Sequence, residues 1–508
     1  MLEASTLWEL IEKRADATPD ARMAVDESGR EMTFGEYRER AERTAAGLAG
    51  LGISAGDVVT WQLPTWFESM VLVGAISRLG ATQNPILHIF REREVGFCVR
   101  EGGAKLLVVP SEFGGFDFEG MARSIVGDLD GVQVLVCDRS LPEGDPSTLA
   151  AAPTDGDEVR WLFYTSGTTA DPKGARHTDL TIRAEAAGMV ERLEITDADR
   201  NALAFPFPHI GGIAWLYASL MTGCQNILFQ AFVPDQVVKV LGEQGVTLAG
   251  SGTVFHQVYL NAQRQSDAPI FPNVRAFPGG GAPKPPALQY EMHEAFPMSV
   301  GIASGYGLTE APILTMASIR DSDDDLAETE GAAMPGVELK LVTQDGAIAA
   351  QGEEGEVRAK GPQVMKGYVN GALDAEAFDD DGWFRTGDLG RLNERGMLII
   401  TGRLKDVIIR KGENVSAKEV EDHLYKHPKV ADVAVIGLPD ERSGERVCAV
   451  VALTEDADAF EMAEMSEFLR GEGLMVQKVP EQLEIVDVIP RNPAGKILKN
   501  DLRARYTD

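Results

Sequence analysis

Between Tyr164 and Gly174 the chain gathers the hydroxyls of Thr165, Ser166, Thr168 and Thr169, the glycines Gly167 and Gly174, and Lys173, directly after the apolar run Trp161-Leu162-Phe163. Glycines let backbone approach an anion closely, hydroxyls and amides donate to phosphate oxygens, and lysine supplies charge. This is the composition of a phosphate-gripping loop on the end of a buried strand. Gly174 follows Lys173 where a Walker A loop carries Ser or Thr, which excludes a generic P-loop NTPase. A flexible Ser/Thr/Gly surface loop is the plain alternative that composition leaves open.

Other stretches combine residue types with the same promise. In Gly305-Tyr306-Gly307-Leu308-Thr309-Glu310 a tyrosine between glycines can stack on a ring, and a Thr-Glu pair follows; a strand-end turn with a core tyrosine reads alike. The glycines of Gly279-Gly280-Gly281-Ala282-Pro283 cost folding entropy, which close approach to a planar base, or simply a tight turn, would justify. Gly382-Trp383-Phe384-Arg385-Thr386-Gly387-Asp388, followed by Gly402-Arg403, offers a carboxylate able to accept both ribose hydroxyls. A capped turn and a surface arginine are the alternative there. Pro490-Arg491-Asn492-Pro493-Ala494-Gly495-Lys496-Ile497 by itself reads as a solvated lysine in a C-terminal loop. His209, within Phe205-Pro206-Phe207-Pro208-His209-Ile210-Gly211-Gly212, has no orienting carboxylate beside it, and a lone histidine among apolar residues reads as a packed core side chain before an acid–base group.

Elements must hold these residues. The 508 residues suffice for roughly two to four domains, and 44% hydrophobic with 25% charged residues is a globular composition. Cys98, Cys137, Cys224 and Cys448 are too dispersed for a zinc set or a disulfide framework, which suits a reducing, cytoplasmic setting. The N-terminus lacks the basic start and apolar core of a secretory signal, and Tyr506-Thr507-Asp508 is not a peroxisomal tripeptide. The apolar stretch Ala214 to Val233 contains Gly223, Gln225, Asn226 and Gln230 and reads as buried core, not a membrane span. A formal net charge of −31 argues against nucleic acid and anionic membrane surfaces as partners.

Thr6-x-x-Glu9, Thr33-x-x-Glu36 and Ser416-x-x-Glu419 predict capping boxes that open helices. The second helix presents Tyr37, Ala41, Ala45 and Leu48 on one face and stops near Gly52. Apolar runs 106–109, 132–136, 226–229 and 246–249 alternate with helical stretches, the order of parallel sheets covered by helices. Past residue 403 the pattern changes to strands at 407–410, 432–437 and 447–453 with a helix near 460–470, a small α+β module. The joint falls at Gly402-Arg403-Leu404-Lys405-Asp406.

Tyr-Thr-Ser-Gly-Thr-Thr-x-x-Pro-Lys-Gly at 164–174, Gly-Gly-Ala-Pro at 280–283, Tyr-Gly-x-Thr-Glu at 306–310, Thr-Gly-Asp at 386–388, the 410–415 loop and Gly495-Lys496 occur in one order over nearly the whole chain. Together they resemble the signatures of the adenylate-forming superfamily: acyl-CoA synthetases, luciferases and peptide-synthetase adenylation domains. Ala170 departs from the usual Gly, keeping the loop small but restricting it from positive φ. Asn84-Pro85-Ile86-Leu87-His88-Ile89-Phe90-Arg91-Glu92-Arg93-Glu94 and Thr169-Ala170-Asp171-Pro172 look like the cyclohexanecarboxylate-CoA ligase-like branch.

The resemblance implies an α/β fold: a large N-terminal domain (1–403) of parallel-rich sheets layered with helices plus a β-barrel-like part, then a small mobile α+β C-terminal domain (404–508). It implies that Thr165 to Thr169 and Lys173 grip phosphates, that Gly281, Ala282 and Pro283 border the adenine, and that Tyr306, between Gly305 and Gly307, stacks on it. Thr309 would contact the α-phosphate, Glu310 magnesium, and Asp388 the ribose with Arg403 nearby. His209, Gly211, Gly212, Trp215, Gly280 and Ser304 would line the acyl pocket. Lys411, Gly412 and Asn414 would form the CoA path, with Lys405 as hinge.

The implied reaction joins a carboxylic acid to the α-phosphate of ATP, releasing pyrophosphate while Mg²⁺ on Glu310, the loop donors and Lys496 meet the charge. The small domain then turns about Lys405 and CoA takes the acyl group, with AMP released. A compact apolar acid, medium-chain or alicyclic, is expected. A ligase loading a carrier-protein phosphopantetheine is the nearest alternative. A luciferase-like oxidoreductase would need an aromatic luciferin pocket, and a non-catalytic nucleotide-binding protein would not need Glu310, Asp388, Arg403 and Lys496 together. The sequence is silent on monomer versus homodimer.

Overall fold

Thr33 and Glu36 form the complete reciprocal cap: the Glu36 N–H donates to Thr33 Oγ1 at 3.1 Å and the Thr33 N–H to Glu36 Oε2 at 2.8 Å. They open the helix Phe34–Gly50, whose Tyr37, Ala41, Ala45 and Leu48 are fully buried. This face packs on the helix Phe67–Leu79, where a Cβ on Gly74 would stand 2.9 Å from Ala41 Cβ. The other two boxes are half formed. Thr6 caps the Glu9 N–H, but the Glu9 carboxylate takes the Ser5 N–H and Lys13 instead. Ser416 caps the Glu419 N–H, while the Glu419 carboxylate is drawn to Lys478 at 2.6 Å. At Glu419 a cation takes the carboxylate in place of the cap N–H, whereas at Glu9 a different backbone donor, the Ser5 N–H, takes one oxygen and Lys13 the other.

The computed structural model describes residues 1–165, 171–281, 284–410, 413–440, 442–457, 459–491 and 496–507, with Glu413 and Asn414 described for backbone only. A large N-terminal part layers helices on a six-stranded sheet and a four-stranded sheet. The six-stranded sheet runs, across its width, Lys173–Thr178, Val159–Thr165, Thr82–Pro85, Val58–Trp61, Ala104–Val109, Gln133–Val136. All its neighbours are parallel except the first pair, an antiparallel hairpin. The four-stranded sheet, Arg200–Leu203, Gln225–Leu228, Arg22–Asp26, Glu31–Thr33, is likewise parallel apart from its last pair. A third sheet carries Phe277–Gly280 beside Ile302–Leu308. The barrel-like part is an antiparallel sheet of Glu338–Val342, Gly355–Lys360, Phe384–Leu392 and Leu398–Arg403.

The run 246–249 is not a strand. Only Leu248 is bridged, to Asn201 on one side and Ala276 on the other, so this short extended piece links two sheets. The stretch from Ala214 divides at Gly223, φ +90°, into the end of the helix Ile210–Thr222 and the strand Gln225–Leu228. No helix among the described residues is long and apolar enough to cross a membrane. The four cysteines are free and buried.

Beyond Arg403 a short turn, Leu404–Asp406, leads into a separate smaller sheet of Val407–Arg410, Glu413–Ser416, Val430–Asp440, Gly444–Leu453 and Gln482–Val486, with its own apolar core around Val435, Val451 and Leu469. Two contacts fix the turn: Ser416 Oγ donates to the Thr401 carbonyl at 2.6 Å, and Arg503 from the last helix pairs with Asp406 at 3.0 Å.

Candidate active site

The hairpin Val159–Thr165/Lys173–Thr178 sets Lys173 directly opposite Thr165. Its connecting residues Ser166, Gly167, Thr168, Thr169 and Ala170 lie outside the described residues. A Cβ on Gly174 would stand 2.8 Å from the Tyr164 ring and 2.9 Å from Val369, so the crossing beside Lys173 needs glycine. Lys173 Nζ lies 5.6 Å over the Tyr368 ring, and the Tyr368 hydroxyl donates to Glu310 Oε1 at 2.8 Å. The hairpin lysine and the Glu310 carboxylate are thereby brought together. His177, on the same strand as Lys173, donates from Nε2 to the Thr309 carbonyl at 2.8 Å. Burial pushes this imidazole down to about 4, which keeps it neutral and leaves Nδ1 to accept from the Thr181 hydroxyl at 3.1 Å.

Tyr306 and Asp388 meet from different sheets: the tyrosine hydroxyl donates to Asp388 Oδ2 at 2.8 Å. Arg403 Nε donates to Asp388 Oδ1, the other oxygen of the same carboxylate. Burial and the Asp388 carboxylate raise the Tyr306 hydroxyl well above its ordinary range, so it remains a donor. Burial works against the Arg403 charge and Asp388 more than restores it. The glycines let strands close up here. A Cβ on Gly280 would lie 2.7 Å from the Gly305 carbonyl oxygen, and one on Gly307 would lie 2.2 Å from the Ile313 nitrogen. Gly281, φ +76°, has open space where a Cβ would be; Ala282 and Pro283 lie outside the described residues.

Lys496 reaches this cluster from the C-terminal part. It is half-buried, and burial, then the charges of Arg403 and Lys405, lower its ammonium to about 8. Lys405 is itself lowered, by burial and then Arg403. Cations from the joint and from the chain's end therefore crowd one spot beside Asp388, the electrostatics of a polyanion site.

His209 stands at the N-terminus of the helix Ile210–Thr222, where Nδ1 accepts the Gly211 N–H at 3.1 Å. Its ring meets Phe205 edge-on at 6.2 Å between centroids. Burial lowers it to about 4, and a cation at a helix N-terminus would oppose the dipole, so it is a neutral cap. Gly211 has ordinary room for a Cβ, a Cβ on Gly212 would lie 2.5 Å from the Phe207 carbonyl oxygen, and Trp215 is buried. Ser304 is buried with its hydroxyl 3.4 Å from the Thr329 carbonyl. Lys411 and Gly412, and the side chain of Asn414, lie outside the described residues.

The segment Asn84 to Glu94 does structural work. Asn84 Nδ2 donates to Thr60 Oγ1 at 2.8 Å and to the Cys98 carbonyl, Gln62 ties the Leu87 and Phe90 carbonyls, and Glu94 caps the Arg91 N–H. Nothing in these contacts selects an acid.

Glu310 suits a hard cation. It is half-buried, Oε1 is held by Tyr368, and Oε2 accepts no hydrogen bond among the described residues. No group of three His, Cys, Asp or Glu among the described residues forms a protein-only metal cage. A single carboxylate completed by phosphate oxygens is how Mg²⁺ is commonly kept. Sequence reasoning missed Tyr368 and His177. The Gly367-Tyr368 pair, an aromatic after a glycine, was the available signal for the first; nothing local marked the second.

The family model described as AMP-binding enzyme matches residues 11–369, and that described as AMP-binding enzyme C-terminal domain matches 419–496. The chain is 31% identical to the medium-chain fatty-acid–CoA ligase of Escherichia coli (strain K12), with 99% of this chain and 91% of that protein covered. It is also 31% identical to the salicyl-AMP ligase / salicyl-S-ArCP synthetase of Mycobacterium tuberculosis, covering 97% and 89%. The crystal structure of ATP-bound MatB from Rhodopseudomonas palustris superposes with a TM-score of 0.88 at 27% identity, over 99% of each chain. Family models over both parts of the chain, relatives over nearly its whole length, and a shared fold agree with the signatures in its sequence: the chain belongs to the AMP-binding enzyme family, the adenylate-forming enzymes, and is an AMP-forming acid–thiol ligase.

Proposed function

We propose that this ligase is an ATP-dependent acyl-CoA synthetase acting on a compact apolar monocarboxylic acid, medium-chain or alicyclic. The convergence of Lys496, Lys405 and Arg403 beside Asp388 and Tyr306 carries the reading, because it puts cations against a ribose-and-ring recognition pair. We take the two domains to meet between 403 and 404, with Lys405 as the hinge.

In the first half-reaction a carboxylate oxygen of the acid bonds to the α-phosphorus of ATP and the bond to pyrophosphate breaks. Asp388 accepts the ribose hydroxyls, Tyr306 packs on adenine, and Lys173 and Thr309 hold phosphate oxygens. Lys496, as an ammonium, offsets the charge that accumulates on the α-phosphate. Glu310 would hold the divalent cation that accompanies ATP and supplies further positive charge. Positioning and electrostatics suffice, since no protein atom needs to form a bond. In the second half-reaction the CoA thiol loses its proton and bonds to the acyl carbon, and AMP leaves. His209, Gly211, Gly212 and Trp215 supply the apolar acyl wall.

Mass spectrometry of products tests the reading, using ATP, Mg²⁺ and CoA with acetate, butyrate, hexanoate, cyclohexanecarboxylate, benzoate or palmitate. AMP, pyrophosphate and acyl-CoA are expected, with kcat/KM greatest for hexanoate or cyclohexanecarboxylate. ADP as product overturns the reaction class; a maximum at acetate or palmitate overturns the acid. The likeness to a salicyl-AMP ligase / salicyl-S-ArCP synthetase supports a second reading. Acyl-AMP formed without CoA ester, but passed to a phosphopantetheinyl carrier protein, would establish it.

A further inference from the structure

We propose that Tyr368 is a positioning residue for the metal and phosphate side of the site, fixing Glu310 and Lys173 in one arrangement before ATP and its divalent cation arrive. The inference rests on the roles given above to Glu310 and Lys173. Tyr368 is 5% exposed, and its hydroxyl donates to Glu310 Oε1 at 2.8 Å. That bond occupies one carboxylate oxygen and leaves Oε2 without a donor among the described residues. The same ring lies under Lys173 Nζ at 5.6 Å, a distance at which an aromatic face attracts an ammonium. One side chain thus holds a carboxylate by its hydroxyl and a lysine by its face.

The backbone around Tyr368 is built to keep it there. The Val369 N–H donates to the Gly174 carbonyl at 2.8 Å, the Arg176 N–H to Gly367 at 3.0 Å, and the Lys366 N–H to Arg176 at 2.8 Å. Residues 366–369 therefore run as a short extra edge along the strand that carries Lys173. The Met365 N–H donates to the Glu310 carbonyl at 2.8 Å, tying the same segment to the carboxylate's own backbone. Asp374 Oδ1 accepts the Tyr368 N–H at 2.8 Å, and Gly367 takes φ +94°, which a side chain would resist. Carboxylates that bind metals are commonly oriented by such outer hydrogen bonds, and losing one typically costs about 10–100-fold in metal affinity or activity.

The test is calorimetric titration of a β,γ-methylene ATP analogue into wild type, Tyr368→Phe, Glu310→Gln and the double variant, each with and without Mg²⁺. Phenylalanine keeps the packing and the ring under Lys173, so it isolates the hydroxyl; thermal midpoints check that folding is retained. The expected result is unchanged metal-free affinity for Y368F and loss of roughly tenfold of the Mg²⁺-dependent gain. E310Q should lose that gain too, and Y368F should add nothing in the E310Q background. Equal weakening of Y368F with and without Mg²⁺, or no weakening, overturns the positioning role. If E310Q keeps the full Mg²⁺-dependent gain, the metal assignment of Glu310 falls and this inference with it. If E310Q loses the gain and Y368F keeps it, only the inference falls.

Discussion

Asp388 and Arg403 oppose each other in register on adjacent antiparallel strands, and their side chains form an ion pair directly before the turn into the C-terminal part. In the proposed function this pair recognises the ribose, and it lies at the end of the last strand before the turn Leu404–Asp406. Asp388→Asn should weaken AMP binding by at least about tenfold, from about 1.5 kcal/mol or more for hydrogen bonds to a charged group. Calorimetry with AMP checks it; an unchanged Kd would remove Asp388 from the ribose site. Arg403→Ala should also lower the thermal midpoint, because it strands a buried carboxylate.

Lys496→Ala should abolish adenylation yet spare thioester formation from preformed acyl-adenylate. In the wild type, kcat/KM for ATP in the adenylation half-reaction should fall as pH rises through about 8, where the lowered ammonium loses its proton. Thioester formation should show no such limb. The same group affects stability in the opposite sense. The unfolded chain keeps the proton up to the ordinary value of 10.5 and the folded chain only to about 8, so its contribution to stability rises with pH across that window. A flat adenylation profile from about pH 7 to 9 would mean that another group meets the charge.

His209→Ala removes a helix cap as well as the acyl-pocket wall proposed above. It should cost about 1 kcal/mol of stability and change acid preference. His209→Asn should restore the thermal midpoint, since asparagine caps well, without restoring the preference. Equal recovery of both would reduce His209 to a cap.

Gly307→Ala should lower the thermal midpoint and weaken ATP binding together, because its Cβ would stand 2.2 Å from the Ile313 backbone nitrogen beside Tyr306 and Thr309. No change of rotamer can relieve a backbone contact, so the strand must move. An alanine variant with wild-type affinity and midpoint would show that the two strands have room to separate.

The chain's own pattern determined most of the segments that become elements and nominated the residues proposed to carry chemistry. The Thr33 box and the buried face from Tyr37 to Leu48 are local: side chains a few residues apart meet wherever a helix forms. The strand 407–410 and the change of pattern at the joint are equally local. The run 246–249 misled because apolar composition marks burial but does not say whether a neighbour lies within pairing distance along its length; only Leu248 found one on each side. The boxes at Thr6 and Ser416 were half right because the Glu9 carboxylate is taken by the Ser5 N–H and Lys13, and the Glu419 carboxylate by Lys478, a competitor distant in sequence. Motif order placed Lys173, Glu310, Asp388, Arg403 and Lys496 on the candidate list, whereas the contacts among them were set by the packing of separate sheets. Tyr368 is 58 residues from Glu310, and Tyr306 is 82 from Asp388. Such pairings, like the lowered ammonium of Lys496, depend on distance, burial and field in the folded chain, and these exist only once the sheets and the C-terminal part are assembled.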